Sequence, residues 1–386
     1  MISLPRRTQL KWPERQKQDA YKVIGPRFRS YETPSDPRQH SSSHLRVVEQ
    51  MSIDVRVATD DDLERWNGYV AQSPQGTLCH ELEALRVQAE HADAKIHPLI
   101  GFKGQEPVGL FPVFEITKQF VTTVFSPPPH LRVPYLGPAF LNMGKLKQRK
   151  RERRRQRFMD GCFEWVESEL NPKYGHIRTA TAFEDSRPFK WNAYDVTPEY
   201  TYAVDLTVGE EDLLMSFSSD ARSNIRNTDD DAYEVTVGGP EEIRLIHEQV
   251  KHRYESQDIS FGVPVEFVLE LAERSENGHV RPYTLRVDGE FVGGILALEY
   301  DGTTGRWMGG VRTDADVDVP TNDLLDWGIM NDGLENDLET YDLVGADTRR
   351  INRYKAKFNP ELETYYSLEY GSWGMRTIAS LYDSVK

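Results

Sequence analysis

The chain has 386 residues, with 47 basic against 62 acidic side chains and a net charge of −15, which suits two lobes of roughly 150–180 residues better than one core. Its basic residues are 15 Lys and 32 Arg; an acid-rich, Lys-poor surface is what a halophilic protein needs in high salt, and it argues against holding DNA through bulk charge. No apolar run approaches the roughly 20 residues that span a bilayer. The first 30 residues lack the apolar stretch of a secretory signal, and Cys79 and Cys162 stand outside any CxxC pair, so a reduced, cytoplasmic protein is expected.

Residues 1–50 carry 10 basic and 5 acidic residues, leaving 51–386 at net −20. This stretch has no apolar period and reads as a disordered basic tail, or as residues upstream of a true start at Met51. A first lobe is expected over 51–198 and a second over 199–386. In the first, Ile53–Ala58 is a strand and Asp60–Asp62 open a helix; another helix covers Glu81–Glu90. Phe120–Phe125 is a strand running into the stiff Ser126–Pro129 loop. Lys145–Arg157 holds nine basic residues and one acid, continued at helical spacing by Phe158, Cys162, Phe163, Val166 and Leu170. It reads either as a phosphate or tRNA site or as the solvated part of an amphipathic helix.

The second lobe is expected to run as a strand at Tyr202–Leu206, one helix over Glu210–Asn227, and helices around Ile243–Tyr254 and Val265–Arg274. Three strands joined by Asp288-Gly289 and Asp301-Gly302 turns follow, then a helix over Pro320–Leu338 and a strand at Tyr341–Gly345. At an offset of 184, the hairpin His97–Glu115 aligns with Arg281–Glu299, matching Pro98 to Pro282, Val108 to Val292, Gly109 to Gly293 and Glu115 to Glu299. The same element order recurs around both, which predicts a duplicated α/β unit.

That order resembles the GNAT-like acyltransferase fold in its tandem, FemAB-like form. Ser219–Asn227 (SDARSNIRN) resembles the family helix with two basic residues four apart, Arg222 and Arg226. Tyr341–Asp347 (YDLVGAD) is similar to the family strand end, and Arg353–Asn359 (RYKAKFN) to its aromatic-Lys-x-x-Phe signature, which places Lys355 on the family lysine. In the first lobe the Ser126–Pro138 stretch resembles the family's proline-rich loop, and Phe189-Lys190 resembles a degenerate Tyr354-Lys355. The resemblance implies an α/β (α+β) fold of two tandem lobes, each a mixed, mainly antiparallel sheet flanked by helices. It implies an acyltransferase that moves groups other than aminoacyl groups, with acyl-CoA as co-substrate. The pyrophosphate-binding position departs from the pattern: Arg312–Pro320 (RTDADVDVP) has no glycine and three aspartates.

Acyl transfer needs a base for the nucleophile, a donor to the oxyanion and a positioned pair of substrates. Lys355 and Asp342 are the candidate catalytic residues. Arg222 and Arg226, at i,i+4 spacing, suit an anionic small-molecule acceptor or envelope precursor bidentately, with Tyr300, Asn322 and Arg349 as further substrate-binding candidates. Each has a plainer reading, as an ion pair, a cap or core packing. No cofactor-binding residue is assigned, and no His, Asp, Glu or Cys cluster has metal-ligand spacing. Two alternatives remain open: aminoacyl transfer from tRNA, and a catalytically silent binding module that kept the fold.

Overall fold

A computed structural model describes residues 52–312, 317–346 and 348–377; the expected basic tail and residues 313–316 of the acidic Arg312–Pro320 loop lie outside the described residues. The first half runs β1 (Asp54–Val57), α1 (Asp60–Leu63), α2 (Trp66–Val70), α3 (Leu82–His91), β2 (Lys95–Lys103), β3 (Glu106–Lys118), β4 (Val121–Ser126), β5 (Ala139–Phe140), α4 (Gln148–Glu169), β6 (Tyr174–Arg178), α5 (Arg187–Trp191) and β7 (Asp195–Asp205). The second runs α6 (Glu210–Ser216), α7 (Ser219–Arg226), β8 (Glu234–Val237), α8 (Pro240–Glu255), α9 (Val265–Arg274), β9 (His279–Val287), β10 (Glu290–Tyr300), β11 (Thr303–Val311), α10 (Thr321–Glu335), β12 (Thr340–Asp342), α11 (Arg349–Lys355) and β13 (Glu361–Gly371).

The strands form one sheet whose order reads alike from either end: β1-β2-β3-β4-β6-β13-β7-β12-β11-β10-β9-β8, with β5 on β3. β4 pairs parallel with β6 and β11 parallel with β12. The duplication extends to the register. Gly101 faces Gly109 and Phe102 faces Pro107, so Val108 is bulged out; Leu285 faces Gly293 and Arg286 faces Phe291, so Val292 is bulged out at the equivalent place. A β-bulge repeated at the 184-residue offset is a much stronger sign of duplication than four matched residues. The boundary expected at 198/199 falls inside β7, which ends the first half but pairs with β12, while β13 returns to pair with β6. The two units therefore exchange their last strands.

Helix α4 covers one face of the first unit, burying Phe158, Cys162 and Val166. A Cβ on Gly101 or Gly109 would lie 2.4 or 2.6 Å from the Phe158 ring, so these strand glycines are set by the close approach of α4. α10 plays the same part in the second unit through Leu325, Ile329 and Met330. Between the units lies a shared core in which Trp66, Val70 and Leu85 join Ile246, Phe267, Leu271 and Trp307. Fully buried Glu81 clamps it, accepting from the Glu276 and Asn277 amides and from Asn277 Nδ2 at 3.1, 3.0 and 2.6 Å.

Two expectations change here. The helix expected over Glu210–Asn227 is two, because Phe217 is extended (ψ 161°) and inserts its ring between Trp327 and Phe358. The strand expected at Tyr341–Gly345 leaves the ladder after Asp342, where the Leu343 amide turns to the Tyr202 carbonyl. No helix among the described residues is long and apolar enough to cross a membrane.

Candidate functional site

β11 and β12 are paired only from Thr303–Gly305 to Thr340–Asp342. Beyond that rung β11 stays paired with β10, bulged at Trp307, and the chain after Asp342 bends away through Val344 and Gly345, both at positive φ (49° and 88°). The resulting wedge opens into a cleft of about 850 Å³ between the two units. The turn at its edge is held from both sides. Asp342 Oδ1 accepts from Thr201 Oγ1 (2.5 Å) and the Val344 amide (2.7 Å), and Thr201 Oγ1 accepts from the Gly345 amide. On the other side, Lys355 Nζ donates to the Val344 and Gly345 carbonyls at 2.9 and 2.7 Å.

The cleft is cationic. Arg132, Arg178, Arg253, Arg306 and Lys355 line it, and Asp258 is the one carboxylate among the described residues in its lining. Arg306 is balanced by fully buried Asp326, which also accepts from the Tyr341 and Tyr354 hydroxyls. Arg178 has Glu199 at 3.8 Å. Arg132 and Arg253 have no carboxylate partner among the described residues. Arg132 lies over the Tyr254 ring (4.5 Å) and donates to its hydroxyl, whereas Arg253 donates to the Gly309 carbonyl at 2.9 Å. Burial, and then the like charges of Arg306 and Arg132, hold the Arg253 guanidinium below its ordinary pKa. Three guanidiniums thus converge in a body that is otherwise strongly acidic, a local focus of positive potential.

Behind the Val344 turn is a smaller cavity of about 170 Å³, separated from the cleft by Pro134, Tyr135 and Val344, which line both. Asp342, Tyr135 and Tyr300 face it. The Tyr135 hydroxyl lies against Asp342 and Thr201, whereas the Tyr300 hydroxyl is buried without a hydrogen-bond partner among the described residues, a costly condition that a bound polar group would relieve. Burial raises the Asp342 carboxyl above its ordinary pKa against the hydrogen bonds that lower it. Burial, then the Asp342 charge, pushes the Tyr135 phenol well up. At the far wall of the cleft, burial and then Arg178 hold His176 down at about 4, so its imidazole is neutral near pH 7, with Nε2 2.9 Å from Ser367 Oγ.

The sequence-predicted residues divide accordingly. Lys355 lines the cleft and Asp342 and Tyr300 the cavity beside it. Lys355 is a buried lysine (6% exposed), whose ammonium ties down the 344–345 carbonyls. Asn322 lines neither space; its Oδ1 lies 3.5 Å from Arg306 Nη2. Arg349 is exposed at the start of α11 and lines neither. Arg222 and Arg226 do not join Lys355. The break at Phe217 folds α7 back on α6, so Arg222 donates to the Met215 and Phe217 carbonyls (2.9 and 2.8 Å) and Arg226 pairs with Glu211 at the surface. The residues that replace them, Arg132 and Arg253, gave a weak signal: Arg132 follows the Pro127–Pro129 run, and Arg253 ends an amphipathic helix beside aromatic Tyr254.

The family model "Acetyltransferase (GNAT) domain" matches residues 215–356, the segment that carries α7, the β11/β12 wedge and Lys355. Residues 215–356 thus match a GNAT domain. Among solved structures it is similar to FemX (10% identity over 81% of this chain and 96% of that one, TM-score 0.63) and to L-PGS from Bacillus licheniformis (13%, 86% and 98%, TM-score 0.52). It is also similar to a conserved protein of unknown function from Bacteroides thetaiotaomicron (14%, 82% and 99%, TM-score 0.51). At these identities the likeness is one of fold, and it spans both units. A search of curated protein sequences finds no match.

Proposed function

We propose that this GNAT-fold protein transfers an acyl group, other than an aminoacyl group, to an amine or hydroxyl of an anionic small molecule. The observation that carries this reading is the convergence of Arg132, Arg253 and Arg306 beside the β11/β12 wedge, with Arg132 and Arg253 lacking any carboxylate partner among the described residues. The anionic group lies against these guanidiniums, and the reacting atoms meet at Tyr135, which lines both the cleft and the smaller cavity that Asp342 faces. Asp342, with its carboxyl raised by burial, takes the proton of the attacking N–H or O–H. The acceptor atom then bonds to the acyl carbonyl carbon, and the Tyr135 hydroxyl turns from Asp342 to donate to the oxyanion that forms. Collapse breaks the bond to the leaving group, a thiolate if the donor is an acyl-CoA, which recovers the proton from Asp342. Lys355 and Thr201 position the turn on which this chemistry depends.

The test is a thiol-release screen of acetyl-CoA and longer acyl-CoAs against anionic amines and alcohols at high salt. With an active pair, Arg253→Ala and Arg132→Ala raise KM and spare kcat, whereas Asp342→Asn lowers kcat. Transfer that none of the three substitutions changes would refute the reading.

One observation favours a second reading, an aminoacyl-tRNA donor. On α4, Lys150, Arg153, Arg154 and Arg157 share one face and, with Lys103, surround a concavity of about 240 Å³. Such a surface suits an RNA backbone. Salt-dependent binding of bulk tRNA, lost on reversing Lys150 and Arg153, would support it.

A further inference from the structure

The cationic cleft does not end at His130 and His176. A second cavity, of about 1040 Å³, begins there and shares Pro129, His130, His176, Ser260 and Gly262 with it. It lies over one face of the paired β4 and β6, lined by alternate residues Val121, Thr123 and Phe125 of the one and Tyr174 and His176 of the other. The two adjoining spaces thus differ in character. Ile116, Val121, Phe125, Leu131 and Pro264 give the second an apolar lining. Two exposed aromatics stand beside it, next to the lining residues Gln119, Val121 and Met375. Phe120, next to Val121 at the β3–β4 turn, is fully exposed at φ 68°, a strained backbone for a bulky residue, and Trp373, two positions before the lining residue Met375, is 83% exposed. Large exposed aromatics beside an apolar groove mark a binding surface.

We propose that the ligand of the cleft is an anionic amphiphile, with its phosphate or carboxylate head against Arg132, Arg253 and Arg306 and a single hydrocarbon chain laid in the second cavity. This rests on the reading of the cleft as an anion site and names the substrate class. The head is fixed by charge and the chain by continuity: a tail leaving the guanidiniums past His176 enters apolar surroundings. Net charge selects the source. Residues 51–386 are at −20 and would be repelled by an anionic bilayer, so the occupant is a single molecule taken from solution.

The experiment is calorimetric titration of the full chain with butyl, hexyl, octyl and decyl phosphate below their micellar concentrations, with inorganic phosphate and octyl maltoside as the other arms. Burial of each added methylene tightens binding about two- to fourfold. Val121→Asp flattens this chain-length dependence and leaves the affinity for inorganic phosphate unchanged; Phe125→Trp, which fills the groove without a charge, shortens the chain at which affinity stops rising. Arg253→Ala weakens every alkyl phosphate by the same factor. Alkyl phosphates that bind no better than inorganic phosphate would overturn the amphiphile proposal and leave the anion cleft standing. Octyl maltoside binding as tightly as octyl phosphate would overturn the pairing of head and chain. Failure of both inorganic and alkyl phosphates to bind would overturn the anion cleft itself.

Discussion

Arg253→Met separates a functional guanidinium from a structural one, because the two roles predict opposite balances of stability and affinity. In the free protein the Arg253 guanidinium donates to Gly309 O and sits beside Arg306 and Arg132, with no carboxylate partner among the described residues. Methionine keeps most of the apolar stem. It forfeits one hydrogen bond, worth about 1 kcal/mol, and removes a buried charge repelled by two neighbours, worth a similar amount with the opposite sign. Net stability should therefore stay within about 1 kcal/mol of wild type. A charge-assisted contact to a bound anion is worth about 1.5–3 kcal/mol, so affinity for an anionic ligand should fall roughly 10- to 150-fold. Parallel denaturant unfolding and substrate titration, at fixed salt, measure both. Destabilisation by 2 kcal/mol or more with unchanged affinity would show that Arg253 only braces β11, and would refute the electrostatic argument for the cleft.

Other outcomes follow from the same structure. Glu81→Ala strands the Glu276 and Asn277 donors in the core between the units and should cost about 3 kcal/mol in urea unfolding; a loss below 1 kcal/mol would dismiss the clamp. Gly109→Ala drives a Cβ into the Phe158 ring and should cost about 1–3 kcal/mol, partly recovered with Phe158→Leu. His80 is fully buried and its pKa is lowered to about 4, by burial first. The unfolded chain therefore binds the extra proton, and stability present above pH 6.5 is lost as pH falls towards 4, by up to about 1.4 kcal/mol per pH unit. His80→Gln should flatten that slope in pH-dependent melts. Arg222→Ala should cost about 1 kcal/mol through the lost bonds to the α6 carbonyls and leave KM unchanged in the transfer assay.

The fold was legible where local pattern and pairing agree. The two hairpins, their 184-residue spacing and the helix over Phe158–Val166 are written in period-2 and period-3.6 runs, and the tertiary structure keeps them. The strand exchange was not legible, because β7 and β13 look like any other strands and only long-range pairing decides which unit each completes. The break at Phe217 was missed for a related reason: periodicity runs through it, and the packing of one ring against Trp327 and Phe358 overrides it. At the site, Asp342, Tyr300 and Lys355 could be found because they sit in or beside motif-bearing segments. Arg132 and Arg253 come from a loop of one unit and a helix of the other, and no spacing in the sequence records their convergence. Arg222 and Arg226 had the spacing and lacked the direction.

The central claim, that acyl transfer occurs at the Asp342–Tyr135 wall with the anion held in the adjoining cleft, is tested most directly by resolving kcat from KM in one transfer assay. Asp342→Asn and Tyr135→Phe should each lower kcat by about 10²–10³ and leave KM near wild type. The Arg132→Ala/Arg253→Ala pair should raise KM by about 10² or more with kcat within a few-fold. Asp342→Asn turning over at the wild-type rate, or the double arginine variant keeping its wild-type KM for an anionic acceptor, would contradict the account.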